Sequence, residues 1–446
     1  MITSRAFAGK KYAVLGLARS GLTAVESLLA SGAEVMAWDN RNEPREALEG
    51  RAEIADPVSA DLAGCEAVVV SPGVPLNTHP IVEAAANAGV PVIGDIELFA
   101  RARADLPAHR VVGITGTNGK STTTSLVAHL LRSAAVPVTV GGNIGVPILG
   151  QKPLEAGGVY VLELSSYQID LTQSLDCEVA ALLNITPDHL DRYASFEAYT
   201  ASKARLFDML GAGHVAVFGT GDDETAQIAR GQAERADLAA CNVADGADLA
   251  HLQSGWPTLQ GPHNLQNAAV SVAIVTALGL APSQWERALP TFRGLPHRME
   301  RVAEADGVLY INDSKATNPA SAAPALAAFP PNPGRRIHWI LGGLPKGDSL
   351  DECRPWFRNI AAAYTIGDAG PLFAEILEPY TRVNRSEMLA NAVREAMAAA
   401  RPGDVVMLSP ACASFDQFRD FEARGDQFRQ IVDALLEPQT AARECG

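Results

Sequence analysis

Eight residues, Thr115-Gly116-Thr117-Asn118-Gly119-Lys120-Ser121-Thr122, constrain this chain more than any other segment. They follow the apolar run Val111-Val112-Gly113-Ile114, which reads as a buried strand, and precede Thr123 to Leu131, whose spacing is helical. A strand that passes through a glycine turn into a helix belongs to a parallel sheet covered by helices. The same turn suits phosphate, because glycines let the backbone approach an anion and the N–H groups of the helix start point at it. Lys120 supplies a point charge for outer phosphates, and Ser121 or Thr122 offers a hydroxyl to magnesium. The stretch departs from a strict Walker A loop, which places glycine where this chain has Ile114. A glycine-rich turn that only caps a helix is the competing reading.

The alternation of strand and helix runs through the whole chain in three blocks. Strands are expected at Tyr12 to Leu17, Glu34 to Trp38, Ala67 to Ser71 and Pro91 to Gly94, with a helix from Ser20 to Ala30. A second block opens near Arg110 and holds strands at Val159 to Leu164 and Val179 to Ile185, with helices at Phe196 to Leu210 and Asn264 to Leu278. A third begins near Leu295, with strands at Val308 to Asn312, Ile337 to Leu341 and Val405 to Leu408. Continuous apolar strands between helices imply an α/β fold of parallel sheets, and 446 residues exceed a single ordinary core. The longest apolar run, Ala268 to Ala281, is too short to span a bilayer, and the N-terminus lacks the apolar segment of a signal peptide. Six scattered cysteines without a C-x-x-C pair argue against zinc and disulfides. A cytoplasmic protein with no membrane partner is expected. The net charge of −15 argues against nucleic acid, and it requires any cations that hold a nucleotide to be concentrated locally.

Further strand-end turns carry candidate chemistry. Gly16-Leu17-Ala18-Arg19-Ser20-Gly21 approximates a dinucleotide turn with alanine in the middle slot, and Asp39 ends the next strand where a ribose would be met. A nicotinamide cofactor or a plain tight turn both fit. Ser71-Pro72-Gly73 is a second turn on the same sheet edge. Glu163 closes a buried strand, where a carboxylate is costly unless paired or bound to a cation such as magnesium. His189 follows another strand end and suits either a second metal or a polar pocket. Only seven lysines occur, and Lys120, Lys203, Lys315 and Lys346 all fall in segments singled out on other grounds.

Together these segments resemble the Mur ligase family of peptidoglycan synthesis. The resemblance rests on Gly116 to Thr122, Gly142-Asn143-Ile144-Gly145, Glu163-Leu164-Ser165-Ser166, Asp188-His189-Leu190-Asp191-Arg192 and Gly261 to Asn267. It rests further on Gly94-Asp95-Ile96-Glu97-Leu98-Phe99, Asn312 to Pro319 and Leu408 to Phe418. It implies a Rossmann-like N-terminal domain over 1–99, a central P-loop ATPase-like α/β domain over 100–294 and a C-terminal Rossmann-like α/β domain over 295–446. It implies a monomer that uses ATP and two magnesium ions to join D-glutamate to UDP-N-acetylmuramoyl-L-alanine through an acyl phosphate.

By the same resemblance, Arg19, Ser20, Asp39, Asn40 and Arg41 would meet the uridine, and Ser71, Pro72 and Gly73 the diphosphate. Asn143 would face the muramoyl part. Arg19 and Asn40 stand where the family pattern has an apolar residue and a threonine. Gly116, Thr117, Asn118, Gly119, Lys120, Ser121 and Thr122 would hold the ATP phosphates, with Asn264 and Asn267 at the adenine and Arg298 and Asp313 at phosphates and ribose. Ser121, Thr122, Glu163, His189 and a carbamylated Lys203 would ligate magnesium. Lys315, Thr317, Lys346, Ser414 and Phe421 would surround glutamate. Folylpolyglutamate-type ligation shares the later domains but leaves the first unexplained. A non-ligating nucleotide switch, or an oxidoreductase built on Gly16 to Asp39, would leave other segments unused.

Overall fold

Apolar strands need helices on both faces, and the chain supplies them for three separate sheets. The structure, a computed structural model, describes residues 1–188, 192–345 and 347–444. The first sheet contains β1 (Lys11–Leu15), β2 (Glu34–Trp38), β3 (Glu53–Ile54), β4 (Cys65–Val70) and β5 (Val92–Ile93). Its order is β3-β2-β1-β4-β5 and every pairing is parallel. The order reverses beside β1, so the turns after β1 and β4 open onto one crevice at the carboxyl edge, where open sheets bind ligands.

The second sheet contains β6 (His109–Thr115), β7 (Val138–Gly142), β8 (Gly158–Glu163), β9 (Val179–Leu182), β10 (Val215–Phe218) and β11 (Ala240–Val243), in the order β11-β10-β9-β6-β8-β7. All of its pairings are parallel. This order places the loop after β6 between the ends of β8 and β9. The expected strand through Ile185 ends earlier, at Leu182, because Leu183 and Asn184 turn to bond the loop after β6.

The third sheet contains β12 (Glu300–Ala305), β13 (Val308–Asn312), β14 (Ile337–Gly342), β15 (Ile360–Ile366), β16 (Arg382–Glu387) and β17 (Val405–Leu408), in the order β12-β13-β17-β14-β15-β16. It is not wholly parallel. β12 pairs antiparallel with β13 through the turn at Asp306-Gly307, where both residues adopt positive φ. A polar, half-exposed strand can occupy that edge because only one neighbour must be satisfied.

The described chain sorts into two compact units, Met1–Gly255 with Pro262–Thr291, and Trp256–Gly261 with Phe292–Gly446. The first unit holds two sheets that share a core. Ile96, Leu98 and Phe99, from the helix Asp95–Ala102, are wholly buried in the same cluster as Tyr160 and Leu162 of β8. Phe99 meets Tyr160 edge to face at 5.1 Å. Burying one such aromatic contributes about 2–3 kcal/mol. Among the described residues no helix is long and apolar enough to cross a membrane.

Candidate active site

The loop after β6 has the shape its glycines allow. Gly116 and Gly119 have φ of 149° and 85°, a region that side chains resist. A Cβ on Gly119 would also strike Oδ1 of Asn267. Gly119 caps the helix Lys120–Ser133, whose first turn carries Ser121 and Thr122. The loop is clamped from the β9 side. Thr117 N–H donates to Asn184 O at 2.8 Å, and Asn118 N–H donates to Asn184 Oδ1 at 2.9 Å. Asn184 Nδ2 returns a bond to Asn118 O at 3.1 Å. Asn184 was not anticipated as a partner, although it stands at the strand-end edge where partners collect.

Two lysines converge on this loop. Lys120 Nζ donates to the carbonyls of Gly116 and Thr117, each at 2.8 Å. Lys203, on the helix Phe196–Asp208, donates to the same Gly116 carbonyl at 3.0 Å and lies over the Tyr199 ring. Lys203 is buried, and burial followed by the charge of Lys120 pushes its amine down to about 7. Its neutral form is therefore well populated near neutrality.

Glu163 closes β8 beside the loop. Its Oε1 accepts from Asn143 Nδ2 at 2.9 Å, while its Oε2 is buried with no hydrogen-bond partner. A buried carboxylate oxygen left unpaired is costly unless a cation meets it. Among the described residues no three His, Cys, Asp or Glu side chains cluster as a metal site. One carboxylate with nearby hydroxyls and phosphate oxygens is, however, the all-oxygen set that suits magnesium, so these residues fit it. His189 and Lys346 lie outside the described residues.

Asn264 and Asn267 occupy the start of the helix Pro262–Ala277. Asn267 is buried against the phosphate-type loop, with its Oδ1 3.4 Å from Thr123 Oγ1, and its Nδ2 donates to Asn264 Oδ1 at 3.3 Å.

A cleft of about 420 Å³ opens at the carboxyl edge of the first sheet. Arg19, Ser20, Asp39, Ser71, Pro72 and Gly73 line it, and Asn143 and Gln168 contribute from the second sheet's side. Ser71 Oγ donates to Gly16 O at 2.6 Å and joins the two turns. Asp39 accepts from Leu17 N–H at 2.7 Å and pairs with Arg41 at 3.1 Å. Burial opposes ionisation of Asp39, but bonds from Arg41 and from backbone N–H groups outweigh it and hold the carboxyl below its usual range. Asn40 and Arg41 are not part of the lining.

The second compact unit gathers its own polar cluster where β13, β17 and β14 end. Asp313 is buried, accepting from Ser409 Oγ at 2.8 Å and from Met299 N–H at 3.1 Å. Burial pushes its carboxyl up to about 7 despite those bonds and the charge of Arg298. Arg298 sits in a tight turn between His297 and Met299, which adopt φ of 61° and 46°. Lys315 lies over the Phe421 ring at 4.3 Å, and Thr317 N–H donates to Lys315 O. Arg424 was not anticipated. Its buried guanidinium donates to the carbonyls of Ser314, Cys412 and Ala413, and so ties the Lys315 loop to the loop that leads into buried Ser414.

Comparison with known proteins agrees sheet by sheet. Residues 10–94 match the Mur ligase MurD-like N-terminal domain, 114–255 the Mur ligase middle domain, and 297–412 the Mur ligase glutamate ligase domain. The UDP-N-acetylmuramoylalanine--D-glutamate ligase of Novosphingobium aromaticivorans is 69% identical, over 99% of this chain and 98% of its own. The protein of that name from Zymomonas mobilis is 52% identical, over 98% of this chain and 100% of its own. The solved MurF ligase of Thermotoga maritima, in complex with ADP, shares the fold at a TM-score of 0.58 and 16% identity, covering 97% of this chain and 96% of its own. Full-length relatedness and the three matched domains lead to one assignment: the chain belongs to the Mur ligase family.

Proposed function

We propose that this chain is an ATP-dependent, ADP-forming ligase that adds D-glutamate to UDP-N-acetylmuramoyl-L-alanine through an acyl phosphate, in cytoplasmic peptidoglycan precursor synthesis. One observation carries the reading. A glycine loop at a helix start has two lysine amines on one carbonyl and a buried, half-unpaired Glu163 beside it. That combination suits a polyphosphate with its cation. In this reading residues 1–99 bind the UDP part, 100–294 bind ATP and 295–446 bind glutamate, and the enzyme works as a monomer.

The chemical obstacle is a carboxylate approaching a triphosphate. Magnesium, when bound, supplies positive charge that offsets this repulsion. Ser121, Thr122 and Glu163 would hold it, with His189 and a carbamylated Lys203. A neutral Lys203 amine adds to carbon dioxide, forms an N–C bond and releases a proton, which turns a cation into a carboxylate-like ligand. Lys120 would stabilise charge on the outer phosphates, and Asn264, Asn267, Arg298 and Asp313 would fix the nucleotide. Arg19, Ser20, Asp39, Asn40, Arg41, Ser71 to Gly73 and Asn143 would orient the UDP-linked substrate. Lys315, Thr317, Lys346, Ser414 and Phe421 would present the glutamate amine. The substrate carboxylate takes the γ-phosphoryl group and ADP leaves. The amine then attacks the acyl carbon, and phosphate departs with the C–O bonding pair as the amide forms. Orientation does most of the work, because little covalent chemistry falls to the protein.

The test is phosphate release from ATP with each substrate omitted in turn. Release is expected only when UDP-N-acetylmuramoyl-L-alanine is present, and amide product only when D-glutamate is added. Equal ATP turnover without either substrate would overturn the reading in favour of a nucleotide switch.

A further inference from the structure

The segment Gly94-Asp95-Ile96-Glu97-Leu98-Phe99 has no part in the chemistry above, yet it is buried along its whole length and carries two buried carboxyl groups, Asp95 and Glu97. Gly94 N–H donates to Leu171 O at 2.9 Å. Glu97 accepts from the N–H groups of Gln173 and Ser174 at 2.7 and 2.9 Å and from Ser174 Oγ at 2.9 Å. These bonds pin the helix Asp95–Ala102 to the chain that follows the helix Ser166–Asp170. Glu97 is thus fully accounted for as a fastener between the two sheets of the first unit. Asp95 is not. It is 3% exposed, and neither carboxyl oxygen completes a hydrogen bond of normal geometry.

The groups nearest the Asp95 carboxyl are the N–H groups of Ile96 and of Asp95 itself, then the side chains of Gln168 and Ser20, and both of those side chains line the cleft. Gln168 is itself fixed. Its Oε1 accepts from the N–H and hydroxyl of Ser165 at 3.2 and 3.1 Å, which leaves Nε2 as the end that faces Asp95. A buried carboxyl without firm bonds costs on the order of 1–3 kcal/mol or more. A helix start would accept serine, threonine or asparagine in its place without that cost. We propose that Asp95 is a positioning residue for the UDP-linked substrate, acting through Ser20 and Gln168 on the cleft wall. This rests on reading the cleft as the substrate site.

An acceptor behind Ser20, though not bonded to it at normal geometry, favours the hydroxyl rotamer whose proton points away from the cleft, so the lone pairs of Ser20 Oγ face the ligand. The wall at that point then reads as an acceptor. It selects a donor on the substrate, such as a ring N–H, a sugar hydroxyl or an amide N–H, and does not select a diphosphate oxygen.

The test is calorimetric binding of UDP-N-acetylmuramoyl-L-alanine, and separately of a non-hydrolysable ATP analogue, to the full chain and to Asp95→Leu and Asp95→Asn, with melting curves for each. Kd for the UDP-linked substrate is expected to rise at least ten-fold in Asp95→Leu and several-fold in Asp95→Asn. Kd for the ATP analogue should stay within two-fold, and the melting temperature should not fall in Asp95→Asn. Unchanged substrate Kd in both variants would overturn the proposal, as would a loss of both affinities in step with melting temperature. A parent chain that binds the UDP-linked substrate without ligating it would sink the ligase reading and leave this one standing. Tight binding by both variants of an active ligase would do the reverse, and a parent chain that does not bind the substrate would end both.

Discussion

Two lysine amines donate to the one carbonyl of Gly116, and burial decides which gives up its proton. Lys203, the buried one, is held down to about 7, first by burial and then by Lys120. Lys203→Arg keeps a cation but cannot be carbamylated, so kcat is expected to drop by roughly 10²–10³-fold. Lys203→Ala should drop comparably and recover in part with added short carboxylates, measured as amide formed per minute. Gly119→Ala meets a different obstacle, since it must hold φ near 85° and displace Asn267. A stability loss of about 1–3 kcal/mol and a weaker Kd for ATP are expected, read by urea denaturation and calorimetry. At this scale the sequence disclosed residues whose type and strand-end position speak together, such as Lys120 and Glu163. It did not disclose Asn184 or Arg424, because their partners are carbonyls and amides that only strand order brings near. Nor did it disclose the burial of Asp95, which in the linear chain looks like an ordinary acid at a helix start.

Strands were legible at many apolar runs between turns, as at Glu34–Trp38, Val308–Asn312 and Val405–Leu408, although the apolar β10 and β15 went unanticipated. Short or polar strands such as β3, β11 and β12 were not, because their pairing is imposed by a neighbour and not by their own pattern. The antiparallel β12–β13 hairpin is the clearest case, since a chain of parallel crossovers gave no sign of it. The helix Asp95–Ala102 yields a pH prediction. Burial raises the Asp95 carboxyl from 3.8 to about 6, so the folded protein holds this proton more tightly than the unfolded chain does. The group costs nothing below about pH 4. Its cost grows as pH rises toward 6 and stays constant above, reaching about 3 kcal/mol at most. Asp95→Asn lacks this term. Its stability relative to the parent chain should therefore improve between pH 4 and pH 7 and level off beyond, as read by denaturant midpoints. A difference independent of pH would place the Asp95 carboxyl in a well-solvated or well-bonded setting.

The described chain sorts into two compact units, each with hydrophobic clusters of its own, and Lys120 lies in the first. Scanning calorimetry is expected to resolve two transitions. Magnesium-ATP at about 100 times its Kd should stabilise the transition of the first unit by about 2.7 kcal/mol and shift the second upward as well, since Arg298 and Asp313 of that unit are proposed to meet the nucleotide. A single transition that moves as a whole would show that the cores unfold together. The central claim, however, concerns the fate of one oxygen atom. UDP-N-acetylmuramoyl-L-alanine labelled with ¹⁸O in its alanyl carboxylate should, on ligation, release inorganic phosphate that carries one labelled oxygen, since the carboxylate oxygen leaves with the phosphoryl group. Phosphate carrying no label, with its new oxygen drawn from water, would contradict carboxyl activation at this site.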